Sequence, residues 1–371
     1  MFGTADHQYM ARAIRLAQNG IYTTDPNPRV GCVIVKNDKV VGEGWHERAG
    51  EPHAEINALK IAGTNAIGAT AYVSLEPCSH HGRTPPCSDA LIKAKVARVI
   101  CAMQDPNPMV AGSGLSQLKS AGLEVFSGLM AAQAQTLNPG FIMRMRHGRP
   151  LIRTKMAMSM DGRTAMANGE SKWITGDDAR RDVHLLRARS SVILTGIGTV
   201  LADDPSLNVR VDKATNSQSE YLQPARVVLD SSLRMPLSAK MFDLAGRTII
   251  FTCNNDAAKI EQLNKNGVEV FVVNSNNGQV DLAAVVSQLT KLEINEVLVE
   301  AGARLNGALI EAGYIDELIV YMAPILMGDK ALGLCALNNV INMEQRIALK
   351  ISDIRPVGDD WRISAKIVKE S

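Results

Sequence analysis

The chain has 371 residues, more than one ordinary core accommodates, so two domains are expected. Lys plus Arg number 40 and Asp plus Glu 38, a formal charge of only +2, which excludes the broad basic surface of a general nucleic-acid or anionic-lipid binder. The opening MFGTADHQYM lacks a secretory core and cleavage site, and no run of about 18 apolar residues occurs, so a cytoplasmic protein without a membrane span is expected.

Met10, Ala13, Ile14 and Ala17 recur at helical spacing and Gly20 stands where a helix stops, so residues from about 6 to 19 read as an amphipathic helix. VGCVIV and KVVGEGW read as two strands turned around Asn37-Asp38. A helix from about 54 to 62 follows, then a strand near ATAYVSL, a helix from about 88 to 95, and strands at ARVICAM and GLEVFSG. That alternation is an α/β layered domain. From Asn138 to Arg153 the text NPGFIMRMRHGRPLIR mixes Pro, Gly and basic residues without a clear period, which places a boundary near 148 and divides the chain into 1–148 and 149–371. The second part offers buried strands at LIRTKMAM, SVILTG, ARVVLD, RTIIFTC, VEVFVV and EVLVE with helical segments between them, a second α/β domain. ATNSQSE and SNNGQ read as polar loops.

Six cysteines (32, 78, 87, 101, 253, 335) are scattered as intracellular thiols are, not as a disulfide framework. Cys32 and Cys101 sit inside apolar runs and read as core, and Cys253 and Cys335 are given the same role. Cys78 and Cys87 differ, because with His53 they supply the imidazole and thiolates that zinc takes, leaving a fourth position open for water as catalytic sites do. Each of the three stands just after proline at a predicted helix start, where the helix dipole favours thiolate. Residues two apart on a regular helix point to nearly opposite sides, so Glu55 reaches the metal-bound water only if His53 occupies the very first turn, as Pro52 allows. His-x-Glu followed by Pro-Cys is the zinc nucleobase deaminase signature, with the glutamate as proton shuttle. Here eight residues, not two, separate the cysteines. The competing reading, a closed zinc knuckle or two unrelated thiols, is disfavoured by the lack of an obvious fourth ligand nearby.

SLEPCSHHGRTPPC, with PNPRVG at 26–31 and HERAGEPHAE at 46–55, resembles the deaminase half of the bifunctional riboflavin-biosynthesis deaminase/reductase family, in which the long cysteine spacing is the rule. The resemblance implies a cytidine-deaminase-like zinc domain with ligands His53, Cys78 and Cys87, a proton-shuttling Glu55, and substrate contacts at Asn27 and His46, with His80 a further candidate. Zinc lowers the pKa of bound water from about 15.7 to about 7, and Glu55 is expected to carry protons to the ring nitrogen and the departing ammonia of a diaminopyrimidine.

The same family carries a dihydrofolate-reductase-like second domain. Its motifs are resembled by KMAMSMDGR at 155–163, SKWITG at 171–176, His184-Leu-Leu-Arg187, the stretch from Thr195 to Arg210, and VEAGARLNGA at 299–308. The resemblance implies NADPH near Ala157, Trp173, Thr199, Asp203, Ser231 and the turn made of Gly302, Ala303, Arg304, Leu305, Asn306, Gly307 and Ala308. Substrate is implied at Ser171, Arg187, Leu207, Arg210 and Glu300. Physically, the glycines permit close backbone approach and a helix N-terminus can hold phosphate, although neither glycine pair has the G-x-G-x-x-G spacing. Arg187 and Arg210 suit the substrate phosphate, since guanidinium forks bind phosphate oxygens in pairs. Trp173 is either a core aromatic or, as Ser171 and Thr175 on either side favour, a cleft residue. Asp203 and Lys155 are the two candidates for assisting proton transfer. Ala188-Arg-Ser-Ser191 departs from the family in lacking an acidic residue after its helix. The implied partners are small phosphoribosylaminopyrimidine substrates and a homo-oligomer, dimer or tetramer. A deaminase acting on a base in nucleic acid is the competing function, disfavoured by 4% aromatic residues and the near-neutral charge.

Overall fold

A computed structural model of the chain describes residues 2–79, 86–108, 110–211 and 221–368, and divides into two compact units, Met1–Arg149 and Pro150–Ser371. In the first unit, α1 (Thr4–Gln18) precedes a hairpin of β1 (Gly31–Lys36) and β2 (Lys39–Trp45). Asn37 and Asp38 take positive φ, 48° and 58°, the backbone that lets a two-residue hairpin follow the strand twist. Then come α2 (Ala54–Ala62), β3 (Thr70–Val73), α3 (Cys87–Lys93), β4 (Arg98–Cys101), α4 (Ser113–Ser120), β5 (Glu124–Ser127), α5 (Ala131–Gln135) and α6 (Pro139–His147). The sheet order is β2-β1-β3-β4-β5, antiparallel among the first three strands and parallel among the last three.

Both faces of this sheet are covered. Met10 and Ile14 of α1 pack with Val33 and Ile100 on one side, while Ala58, Leu91 and Leu118 of α2, α3 and α4 pack with Cys32, Ile34 and Val99 on the other. Gly42 and Gly44 let α2 lie close on β2: a Cβ at Gly42 would stand 2.3 Å from Ala58 O, and one at Gly44 2.8 Å from Ala58 N. The start of α2 is thereby held against the sheet. The aperiodic stretch at the expected boundary contains α6, with Pro139 in its first turn and Gly148 at φ 64° closing it; those end signals stand in the sequence, but the helix has no single apolar stripe.

The second unit runs β6 (Leu151–Ser159), β7 (Arg163–Ala165), α7 (Asp177–Ala188), β8 (Val192–Gly196), α8 (Ile197–Asp203), β9 (Ala225–Leu229), β10 (Thr248–Thr252), α9 (Ala257–Lys265) and β11 (Val268–Val272). It continues with β12 (Ser275–Asn276), β13 (Gln279–Val280), α10 (Leu282–Lys291), β14 (Glu296–Val299), α11 (Ala303–Glu311), β15 (Glu317–Ala323), β16 (Leu332–Gly333), β17 (Leu349–Val357) and β18 (Asp360–Ile367). Its nine-stranded sheet has the order β11-β10-β9-β8-β14-β6-β15-β18-β17, parallel from β11 to β15 and antiparallel through β18 and β17.

The parallel strands are apolar on both faces because helices cover both, which is why they were legible as unbroken runs. SNNGQ is not a plain loop: β12 and β13 pair around Asn277 and Gly278, at φ 50° and 76°. ATNSQSE lies outside the described residues. Where the acidic residue was missing after α7, Ser191 Oγ accepts the Asn295 and Glu296 N–H groups at 3.1 and 3.0 Å and so ties α7 to β14. No helix among the described residues is long and apolar enough to cross a membrane.

Candidate active sites

In the first unit His53 is the N-cap of α2, with an extended backbone (φ −74°, ψ 166°), and Glu55 lies in the first turn. The departure from helical geometry at the cap allows residues two apart to face one centre. Cys78 follows β3 and Cys87 opens α3 after Pro86. His53 Nδ1 stands 3.6 Å from Cys78 Sγ and 3.3 Å from Cys87 Sγ, and the three ligand atoms all lie within 4.8 Å of one another. Tetrahedral zinc with Zn–N near 2.0 Å and Zn–S near 2.3 Å sets N···S edges of about 3.5 Å, so the triangle has the size zinc requires.

The electrostatics match that arrangement. The Cys87 hydrogen bond, aided by His53, holds the Cys78 thiol well below its ordinary range despite burial. His53 is raised, chiefly by Cys78. Glu55 is buried, and desolvation together with the Cys78 charge pushes its carboxyl up to about 7. His46 lies edge-on to His53 with ring centroids 5.2 Å apart. Its Nδ1 lies 3.2 Å from Pro52 O and its Nε2 3.1 Å from Asn27 Nδ2; with burial lowering its pKa, the neutral ring donates from Nδ1 and accepts the Asn27 amide. Asn27 and His46 are thus one hydrogen-bonded pair beside the triangle. His80 lies outside the described residues.

In the second unit a cavity of about 550 Å³ opens beside β6, α7, α8 and the residues that follow β14. Ala157, Trp173, Thr199 and Asp203 line it, as do Gly302, Ala303 and Asn306. Ser171, Arg187, Leu207, Arg210 and Glu300 line it too. Ser231, Arg304, Leu305, Gly307 and Ala308 are not among its lining residues. The expected 302–308 turn is instead Gly302 as N-cap and α11 from residue 303 onward. Gly307 serves packing, since a Cβ there would stand 2.0 Å from Ala336 O. Leu305 packs toward Gly196, and Ser231 Oγ bonds Gln279 Oε1 at 3.2 Å and accepts Val280 N–H at 3.0 Å.

The fork of Arg187 is engaged within the protein. Its Nε and Nη2 donate to Glu300 at 2.6 and 2.9 Å, and Nη1 donates to Asn208 O at 3.0 Å. Burial alone would raise the Glu300 carboxyl, but Arg187 outweighs it and holds the group at about 2. Lys155 is lowered by burial despite Glu300 nearby. Among the described residues Arg210 has no acidic partner within ion-pair distance; its backbone N–H donates to His184 Nδ1 at 3.2 Å. Desolvation, then Arg187 and Arg210, press His184 down to about 4, so this cavity residue, present in a quoted motif but given no role, is neutral. At the mouth, Lys172 Nζ meets Asp203 Oδ1 at 2.9 Å and Arg180 lies 4.6 Å over the ring of Trp173, which is 70% exposed and no core residue. Thr164, Ala165, Leu332 and Leu334, from the small β7–β16 ribbon and its flank, form a wall that sequence reasoning missed.

Comparison with known proteins gives two family matches, the cytidine and deoxycytidylate deaminase zinc-binding region over residues 4–103 and the RibD C-terminal domain over residues 150–363. The chain is 52% identical to the riboflavin biosynthesis protein RibD of Escherichia coli over 361 residues, covering 96% of this chain and 97% of the relative. It is 39% identical to the protein of that name from Aquifex aeolicus, over 99% of each chain. Among solved structures, Acinetobacter baumannii RibD matches with TM-score 0.91 at 44% identity, covering 98% of this chain and 99% of that one. A Thermotoga maritima diaminohydroxyphosphoribosylaminopyrimidine deaminase/5-amino-6-(5-phosphoribosylamino)uracil reductase matches with TM-score 0.85 at 30% identity, with the same coverage.

Proposed function

The chain belongs to the bifunctional RibD family of riboflavin biosynthesis, and from that premise we propose how its residues divide the work. The protein is a bifunctional enzyme, a deaminase and a reductase: it deaminates 2,5-diamino-6-(5-phosphoribosylamino)pyrimidin-4-one and reduces the ribosyl group of 5-amino-6-(5-phosphoribosylamino)uracil to ribityl.

The triangle of His53, Cys78 and Cys87 beside a buried Glu55 is the observation that carries the deaminase assignment. These three residues hold zinc, and a bound zinc supplies a Lewis acid that lowers the pKa of water to about 7. Glu55, in the first turn of α2 and removed from solvent, moves protons to the ring nitrogen and the leaving ammonia. Asn27 and His46, locked to each other, orient the pyrimidine.

NADPH occupies the second unit's cavity, where Gly302 presents the N-terminus of α11; a Cβ at Gly302 would meet nothing within 4 Å, and the first N–H groups of a helix have no partner inside it. Arg210 is assigned the substrate phosphate, since the Arg187 fork is spent on Glu300. Reduction adds a hydride at the sugar carbon and requires a proton as the ribose ring opens. Lys155 is assigned as its donor over Asp203, because Lys155 lies in the cavity near Glu300 while Asp203 is paired with Lys172 at the mouth.

None of the six cysteines forms a disulfide, which supports a reducing, cytoplasmic setting. The edge strand β17 leaves Leu349, Ile351 and Ile354 about half exposed, at 48%, 55% and 52%, which supports a homo-oligomer using this edge; sedimentation of the full chain at micromolar concentration reads it, and a monomer there excludes it. For the metal, purified protein should carry about one zinc per chain and Cys78→Ser should lose most of it; unchanged zinc in that variant contradicts the ligand set.

A further inference from the structure

Glu76 is a buried carboxylate, 4% exposed, that no step above uses. Its Oε2 accepts the N–H groups of Asp105 and Gly112 at 3.0 and 2.9 Å, and its Oε1 accepts those of Gly114 and Leu115 at 2.9 and 3.2 Å. Four backbone donors thus converge on one side chain two residues before Cys78. Buried N–H groups demand acceptors, and an ionised carboxylate accepts through both oxygens, so the grip is both strong and directional.

The grip is one part of a larger seat. Gly114 lies so close to Pro77 that a Cβ would stand 2.0 Å from Pro77 O. One residue beyond Cys78, Ser79 Oγ lies 2.6 Å from Ser113 Oγ, at the first residue of α4. Cys78 O accepts the Ser88 N–H at 3.1 Å, and the Ser88 hydroxyl lies 2.7 Å from Gln117 Oε1. Helix α4 carries none of the three ligands, yet it touches the chain on both sides of Cys78 and, through Ser88, the start of the helix that Cys87 opens.

We propose that Glu76 is a positioning residue for the zinc site: by clamping Asp105, Gly112 and the start of α4 it fixes the Cys78 peptide, and hence its sulfur, before the metal arrives. The proposal rests on the zinc assignment above. A carboxylate that merely capped α4 would need only the Gly114 and Leu115 contacts; the second oxygen, spent on Asp105 and Gly112, ties those two residues to the segment that carries Cys78 as well. Glu76→Gln keeps the shape but sets an NH₂ group where one oxygen received two N–H donors, so one arm of the clamp is lost and two buried donors are left facing a third.

The test uses the full chain. Zinc release to an excess of chelator should be at least tenfold faster in Glu76→Gln than in the parent, and the thiolate-to-metal charge-transfer bands of the cobalt-loaded variant should be weakened or shifted. NADPH oxidation on the deaminated substrate should stay near the parent rate, which reports that the second unit is folded and that any loss is confined to the first. Hydrogen exchange on the zinc-free parent gives the answer even if the variant does not fold: the amides of Asp105, Gly112, Gly114 and Leu115 should already be protected without metal. Protection that appears only on adding zinc overturns the proposal, because the metal would then be ordering the clamp. Equal release rates and identical cobalt spectra overturn it as well, while leaving the zinc assignment intact. A parent chain that takes up no zinc would instead overturn that assignment, and this proposal with it.

Discussion

Glu300→Gln removes one partner of a pair that is buried inside the reductase cavity. The Arg187 and Glu300 side chains are only 14% and 11% exposed and meet through two hydrogen bonds, at 2.6 and 2.9 Å. Two independent lines size the loss. The Glu300 carboxyl is held at about 2 against an ordinary 4.5, which at 1.36 kcal/mol per pKa unit is about 3 kcal/mol. Breaking a buried ion pair by removing one partner costs roughly 3–5 kcal/mol, since an uncompensated charge remains. The variant's second unit should therefore unfold with about 3 kcal/mol less stability, a fall in Tm of about 6–12 °C for a domain of this size. The folded-state pKa is depressed, so this contribution is fully present above about pH 4.5 and disappears as pH falls toward 2. Calorimetry reads it on the transition that NADPH raises, at pH 7 and again near pH 3, where the difference between parent and variant should have shrunk to about 1.4 kcal/mol. Replacing Arg187 by Met and Glu300 by Leu together should recover much of the loss. A Glu300→Gln stability within about 0.5 kcal/mol of the parent at pH 7 would refute the reasoning, because the pair would then be solvated rather than buried.

Arg210→Ala should raise the KM for the phosphorylated uracil substrate by roughly 10–150-fold, the equivalent of a charge-assisted contact of about 1.5–3 kcal/mol, with NADPH affinity nearly intact. Loss of NADPH affinity with an unchanged KM would show the two ligands reversed. Lys155→Met should lower kcat for reduction at least about a hundredfold while ammonia release from the diaminopyrimidine is retained. Reduction at the parent rate would return the proton-donor role to Asp203.

The parts of the fold that were legible in the sequence share one physical cause. Strands such as VILTG and ARVVL are buried on both faces and read as unbroken apolar runs, and Met10, Ala13, Ile14 and Ala17 mark the one buried stripe of α1. β17 is exposed along nearly its whole length and β18 alternates irregularly, so neither advertises itself by burial. At the first site, His53, Glu55 and Cys87 were legible because proline and helix-start signals mark them, whereas Cys78, expected at a helix start as well, lies in a non-helical segment after β3 and was legible from residue type alone. Glu76 was not, because its four partners lie 29 to 39 residues away and are backbone groups that no residue type announces. Arg187 shows the same limit: its residue type suits phosphate, but its partner Glu300 is 113 residues distant. Gly307, read as part of a cofactor turn, is a glycine because Ala336 presses on α11, a contact set by tertiary packing alone.

The division of labour between the two units is tested most directly by Glu55→Gln, followed for ammonia and NADPH together. The substitution keeps the volume of a buried side chain in the first turn of α2 and removes only its capacity to carry protons. With the diaminopyrimidine substrate, ammonia release should fall by at least about a hundredfold while zinc content stays at the parent level. Supplied instead with 5-amino-6-(5-phosphoribosylamino)uracil, the same variant should oxidise NADPH at close to the parent rate, because the reductase cavity lies wholly among residues of the second unit. If NADPH oxidation on that substrate collapsed along with ammonia release, with zinc and folding unchanged, the two reactions would share one site and the account would be contradicted.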